Sequence, residues 1–388
     1  MFSETIEGTT RIIVPTELTR SMFYNPVMEL CRDIDIASIA AFSSSHPTPA
    51  QLTYIDALAG TGVRGVRVAN EVGLQVSIND RSTPAYELIK RNIALNKIEE
   101  RATAYNEDAN VLLVRTPYDL VDIDPFGSPV PFLDAACKSV KQLLLITATD
   151  TAPLCGAHTG GMRTYGARPL NTEYHAEMGT RVLLGAVTRE LGRYDKAIQP
   201  LLSYASAHFI RLIARVERGA RKADESIERL GFIAHCFSCG HRFAFPCADM
   251  LDLNVENICT LCGKKMRIAG PLYIHPIKEN EFCEQVHEEL AKRTLGKKSE
   301  ALKIVNTGIL ELDIPFYYEH HALCKALRIP PPSIPSVLDA LRSAGFSASR
   351  THFSDTAIKT DARIDELKKI VKMVYVDSLS ASFLPCNL

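Results

Sequence analysis

Tryptophan is absent from the 388-residue chain, aromatic residues make up only 7%, and the formal net charge is −1. A charge near zero excludes a global basic field for gripping a polyanion. Any such surface must be a local patch, because charges in saline are screened over about 10 Å. Long apolar runs are missing too: no window approaches the roughly 18 uninterrupted apolar residues that a membrane span needs. The opening MFSETIEGTTRII has neither the basic start nor the apolar core of a secretory signal. A GxxxxGK[ST] phosphate loop is also lacking, which argues against a bound polyphosphate. No internal repeat or low-complexity tract interrupts the chain. What remains is 46% hydrophobic and 23% charged, the composition of an ordinary protein with sizeable cores and two or three domains. Eleven cysteines are many, but four fall in two Cys-x-x-Cys pairs, which favours metal over disulfides and a reducing cytoplasm.

The first 50 residues read as a lead-in: a short strand from Arg11 to Val14, a helix from Pro26 to Phe42, and a loop from Ser43 to Pro49. From Leu52 short apolar strands alternate with amphipathic helices: LTYIDAL then GVRGVRVANEVG, LQVSIND then TPAYELIKRNIALNK, followed by ATAYNEDA, YDLVDIDPFG and QLLLITATD. Such alternation predicts an α/β domain, a Rossmann-like parallel sheet covered by helices on both faces. HFIRLIARVERG, from His208, allows a helix with Arg211, Arg215, Arg218 and Lys222 on one face. The period-two spacing of Ile210, Leu212, Ala214 and Val216 favours a strand, with GARKADESIERLG as the next helix. Beyond the cysteines, a helix at HEELAKRTL, another at PPPSIPSVLDALRSAGF and strands in SASRTHFSDTAIKT predict an α+β region of winged-helix type.

TYIDALAGTGVRGVR runs from a strand into Gly60-Thr61-Gly62 and then a helix. Glycines there let the backbone approach a ligand at the strand ends. Asp56 ends that strand, Asp80 ends the next, where an acid accepts hydrogen bonds from ribose hydroxyls, and Asp108 ends the third, placed for an adenine amine. One acid at a strand end is usually a helix cap or turn former. Three in succession beside a glycine turn predict an adenosine ligand without polyphosphate, and S-adenosylmethionine fits better than ATP. NAD fits this pattern alone.

The fourth strand, ending DIDPFG, argues for the methyl donor. Many amino-methyltransferases carry Asp or Asn, two prolines and an aromatic at this place. An exocyclic amine on a base is a poor nucleophile, its lone pair being delocalised into the ring. A carboxylate at Asp124 that accepts its N–H aims the nitrogen and draws charge onto it as the methyl transfers. Pro125 stiffens the turn and Phe126 offers a ring for the base. The bland alternative is an Asp-Pro turn at a strand end.

FYNPVMELCRD (Phe23 to Asp33), DALAGTGVRGVR (Asp56 to Arg67), DIDPFGSP (Asp122 to Pro129), RVERGARKADE (Arg215 to Glu225) and SRTHFSDTAIKTDA (Ser349 to Ala362), with the cysteine pairs, resemble the tRNA guanine-N2 dimethyltransferases over essentially the whole chain, in the compact archaeal form. The resemblance implies a class I methyltransferase sheet and one or two methyl transfers from S-adenosylmethionine to the N2 amine of guanosine 26 in tRNA, with no obligate protein partner. It makes Asp124 the catalytic carboxylate, has Phe23 and Phe126 sandwich the guanine, and gives Arg32 the methionine carboxylate. Asp56, Gly60, Gly62, Asp80, Asp108 and Ala109 would complete the cofactor site. Cys31 stands where the family usually has Asn. The expected division is a lead-in over 1–50 that contributes to the active site, a methyltransferase domain over 51–230 and a zinc-containing, tRNA-binding domain over 231–388. Other readings are a zinc-containing nucleic-acid binder with an inactive methyltransferase fold, and an amino-methyltransferase acting on another base.

Cys236 and Cys239, then Cys259 and Cys262, each second cysteine followed by glycine, match a zinc ribbon. Four thiolates leave no open position, so the metal is expected to be structural. His241 and Cys247 have worse spacing. Around the pairs stand Arg242, Lys264, Lys265 and Arg267, and farther on Lys297, Lys298, Arg342, Arg350, His352 and Lys359, from which a local phosphate-binding surface is expected.

Overall fold

A computed structural model describes residues 2–17, 22–206, 208–248 and 257–382. The chain divides into two compact units, each made of separated segments. The first comprises 1–151, 187–227 and 277–309, the second 152–186, 228–276 and 310–388. This differs from the expected division at 50 and 230. Part of the reason is burial. Phe282, Cys283, Val286 and Leu290 of helix Asn280–Lys292 share a core with Ile34, Ile36 and Phe42 of helix Glu29–Ser44. The lead-in is likewise no separate piece, since Ile12 and Val14 enter the same core.

In the first unit, β1 (Phe2–Glu7) and β2 (Thr10–Pro15) form an antiparallel hairpin. Asn25 caps a single turn at Pro26–Met28, its side chain accepting from the Val27 N–H, and helix Glu29–Ser44 follows with nearly every side chain buried. Then come β3 (Thr53–Asp56), β4 (Gln75–Asn79), β5 (Ala102–Tyr105), β6 (Leu120–Ile123), β7 (Leu143–Ala148), β8 (Lys196–Ser206) and β9 (Phe209–Arg218), in sheet order β5-β4-β3-β6-β7-β9-β8. The first five are parallel, and their buried apolar runs match a sheet covered on both faces. The parallel strands are those of the expected series, and the last two strands make the sheet mixed. Ser206 pairs with Phe209, so β8 and β9 form a hairpin, and a hairpin must run antiparallel. β9 in turn lies antiparallel to β7. Strand order reverses between β3 and β6, which opens a crevice at their carboxyl ends.

In the second unit, β10 (Leu230–His235) pairs with β11 (Arg242–Pro246) and β12 (Arg267–Tyr273). A second small sheet joins β13 (Tyr318–Glu319), β14 (Ala348–Thr351) and β15 (Ser354–Thr360) in the order β13-β15-β14. Helices His320–Leu327, Ile334–Ser343 and Ile364–Ser382 pack against it through Leu323, Val337, Leu341, Leu367 and Val371. Two helices followed by a hairpin is the order expected of a winged helix.

Candidate active site and metal centre

Gly60 and Gly62 have φ of +55° and +79°. A side chain at Gly60 would meet the Phe23 carbonyl oxygen at 2.9 Å, and one at Gly62 would meet Ile89 at the same distance. The turn is therefore closed to any other residue on steric and conformational grounds. Asp80 holds it, accepting the Gly60 N–H at 2.9 Å and the Ser82 N–H at 2.8 Å. Asp56 is buried and accepts the Gly65 N–H at 3.0 Å. Burial, helped by the neighbouring Asp122, pushes its carboxyl well above the usual range. Asp108 takes the bland role weighed above: it caps helix Ala109–Arg115, one oxygen accepting from the Asn110 and Val111 amides, and it stays exposed beside buried Ala109.

Asp124 stands one residue past β6 with its side chain 23% exposed, followed by buried Pro125 and by Phe126, 68% exposed. The loop is tied to the strand end beside it: the Gly127 N–H donates to Thr149 Oγ1 at 2.7 Å and the Thr149 N–H to the Gly127 carbonyl at 3.0 Å. Phe23 and Phe126 do converge, from far apart in sequence. Their rings meet edge to face, centroids 4.3 Å apart and planes at 83°. A base between two rings needs them parallel and about 7 Å apart, twice a van der Waals contact. The pair as it stands is closed on itself, and admitting a base requires it to part.

Beneath Asp124 lies an ionic network that the sequence reading missed. Arg64, 4% exposed, pairs with Asp124 and with Asp35, and its Nε lies 3.6 Å from Asp122. Arg211 grips Asp122 with two nitrogens at 2.9 and 2.7 Å, and reaches Asp35 at 2.9 Å and the Thr147 hydroxyl at 2.8 Å. Tyr54 donates its hydroxyl to Asp122 at 3.0 Å. Burial works to raise the Asp122 carboxyl, but the two guanidinium groups win and hold it below the usual range. Three carboxylates thus face two guanidinium groups, and the member of the set partly open to solvent is the carboxylate of Asp124. The signal was available: Arg211 in the apolar run FIRLIARV, and two Asp in the apolar helix DIDIASIAAF.

Arg32 differs from expectation. Both its Nε and a terminal nitrogen bond Glu7, at 2.8 and 2.5 Å, and the latter also reaches the Asn25 carbonyl at 3.1 Å. Glu7 is 1% exposed and also accepts from Tyr24 and Arg67, so Arg32 locks the FYNP segment to the hairpin.

The sulfurs of Cys236, Cys239, Cys259 and Cys262 all lie within 4.8 Å of one another. Each pair sits on the same kind of turn: the Gly240 N–H donates to Cys236 and the Gly263 N–H to Cys259, both at 2.8 Å, with φ of +86° and +68° at these glycines. Zn–S bonds of about 2.3 Å in a tetrahedron put sulfurs about 3.8 Å apart. The cluster is compatible with structural zinc. The Cys239 carbonyl accepts from Lys368 at 2.6 Å, anchoring the first turn to helix Ile364–Ser382.

Residues 4–372 match the family described as N2,N2-dimethylguanosine tRNA methyltransferase. The chain belongs to this family. A relative from Methanosarcina mazei, named tRNA (guanine(26)-N(2))-dimethyltransferase, is 47% identical over 380 residues, 94% of this chain and 97% of its own. A relative of the same name from Haloarcula marismortui is 39% identical over 371 residues, 94% of this chain and 98% of its own. Among solved structures, Trm1 from Pyrococcus horikoshii in complex with S-adenosyl-L-methionine superposes with a TM-score of 0.84 at 34% identity, covering 95% of this chain and 99% of that one. No helix among the described residues is long and apolar enough to cross a membrane.

Proposed function

We propose that this chain transfers one or two methyl groups from S-adenosylmethionine to the N2 amine of guanosine 26 in tRNA. The observation that carries the reading is the partly open Asp124 carboxylate, set between the glycine turn and two converging phenylalanines in a chain of this family. The residues fit the cofactor: the turn at Gly60 and Gly62 leaves no room for side chains, Asp80 holds the turn, and Asp56, Asp108 and Ala109 line the neighbouring strand ends. When bound, S-adenosylmethionine supplies an activated methyl group.

The chain's own residues do the rest. Asp124 accepts one N–H of the guanine amine, aims the nitrogen lone pair and offsets the positive charge that develops on the nitrogen, easing loss of the proton, which leaves to solvent. Arg64 occupies the Oδ2 side of that carboxylate, which leaves the other oxygen for the amine. A secondary amine still has one N–H to offer, so the same arrangement serves a second transfer. Pro125 stiffens the turn. Phe23 and Phe126 part to take the base, whose extrusion from a stacked helix costs a few kcal/mol. Stacking returns about 1–3 kcal/mol per ring. Arg32 acts by holding FYNP in place and would reach the methionine carboxylate only by giving up a contact to Glu7. Zinc at the four cysteines has no part in the chemistry, and two Cys-x-x-Cys pairs that converge on one metal position suit a reducing cytoplasm.

The test is methyl transfer from labelled S-adenosylmethionine to unmodified tRNA transcripts, with guanosine 26 changed to adenosine as control. Transfer to the parent transcript and none to the control is expected; undiminished methylation of the control would refute the target.

A further inference from the structure

Phe237 follows the first cysteine of the metal cluster, and 51% of its surface is exposed. The small core under the cysteine turns consists of Ala234, Cys236, Phe245, Cys259 and Met266. Phe237 is outside it, so the fold of this element gives no reason for a large ring here. The ring is nonetheless held in place. Its neighbour Cys236 is fixed by 2.8 Å hydrogen bonds to Gly240 and His241, and the ring meets His235 edge-on with centroids 4.5 Å apart.

One cation packs on it. The Arg267 guanidinium lies 5.2 Å from the ring centroid. Lys265 and Arg267 are both exposed, and Met266 between them is buried at 4%, an alternation that puts both cations on the same side of the chain. Lys264 is exposed next to them. Arg242, by contrast, leaves the expected basic patch: it is packed against Tyr174 and Tyr318 and paired with Glu173 at 2.6 Å.

A fixed, half-exposed ring with a guanidinium over one face and an exposed lysine two residues from that arginine is a combination that holds single nucleotides, the ring stacking on a base and the cations meeting phosphates. On a chain of net charge −1, such a patch is where a polyanion can be gripped. We infer that Phe237, Lys265 and Arg267 form a contact for tRNA separate from the residues assigned to methyl transfer, with Phe237 stacked on an accessible base. The inference rests on tRNA being the substrate.

The test compares Phe237→Ala and the double variant Lys265→Gln/Arg267→Gln with the parent protein, measuring tRNA Kd at several salt concentrations, KM and kcat for methylation, zinc content and S-adenosylmethionine affinity. Phe237→Ala is expected to raise Kd and KM for tRNA about 10-fold at unchanged kcat. The double variant is expected to weaken binding and to flatten the dependence of log Kd on log salt by about 1.5. Zinc content and cofactor affinity stay at parental values. Parental KM and Kd for tRNA in both variants would overturn the contact. So would weakened tRNA binding that comes only with loss of zinc, which would make Phe237 a folding residue. A parent protein that does not methylate tRNA fails the proposed function itself, whereas an active parent with indifferent variants fails this contact alone.

Discussion

Two of the buried ionic networks, one from each unit, use the same chemistry to different ends. In the first unit, Arg64 and Arg211 bind Asp35 and Asp122 out of water, and the chain of charges surfaces at Asp124. In the second, Lys359 sits between Glu177 at 3.2 Å and Glu311 at 2.7 Å. Glu177 is bonded further to Arg181 and the Phe316 amide, and Glu311 to Thr351 and His352. No side chain of that quintet is more than 2% exposed. Burying charge is costly unless every partner is present, so a closed network serves to hold segments together. A network with one open carboxylate can instead present a fixed charge to a reactant. Exposure at a single residue, rather than the number of charges, separates a structural cluster from a site.

The largest effect expected of breaking the closed network is on stability. Lys359→Met leaves two buried carboxylates facing each other with one cation fewer, at a cost of about 3–5 kcal/mol. The denaturant midpoint should fall with an unchanged slope, while kcat of the protein that remains folded stays near the parental value. Loss of kcat at parental stability would mean that this network, too, feeds a site.

A smaller effect follows from protons. Burial alone would raise the Glu311 carboxyl, but His352 and Lys359 hold it below its ordinary value of 4.5. Its contribution is therefore complete above that value and is lost as pH falls from there through the depressed folded value. Melting temperatures should drop on acidification below about pH 4.5, and Glu311→Gln should start lower and fall less steeply. An acid limb of unchanged steepness in Glu311→Gln would show that other carboxylates carry it.

Features set by neighbours in sequence were legible without coordinates. The strand-helix alternation, the Gly60-Thr61-Gly62 turn, Asp124-Pro125-Phe126 and the cysteine pairs each depend on a few adjacent residues. What was not legible depends on partners far along the chain. Arg64 and Asp124 are 60 residues apart and Arg211 and Asp122 are 89 apart, and no local pattern says which Arg meets which Asp. The antiparallel β9 and the return of residues 277–309 to the first unit are of the same kind. Arg32 and Asp108 teach a further point: a residue in a ligand-binding motif can have a local partner, here Glu7 for one and the helix amides Asn110 and Val111 for the other.

The open end of the first network is tested most directly by Asp124→Ala, with methyl transfer to tRNA and S-adenosylmethionine binding by calorimetry measured on the same preparation. Near-complete loss of transfer with cofactor affinity largely kept is the expected result. Equal loss of cofactor binding, or transfer that survives the substitution, would contradict the assignment of Asp124 as the carboxylate that receives the amine.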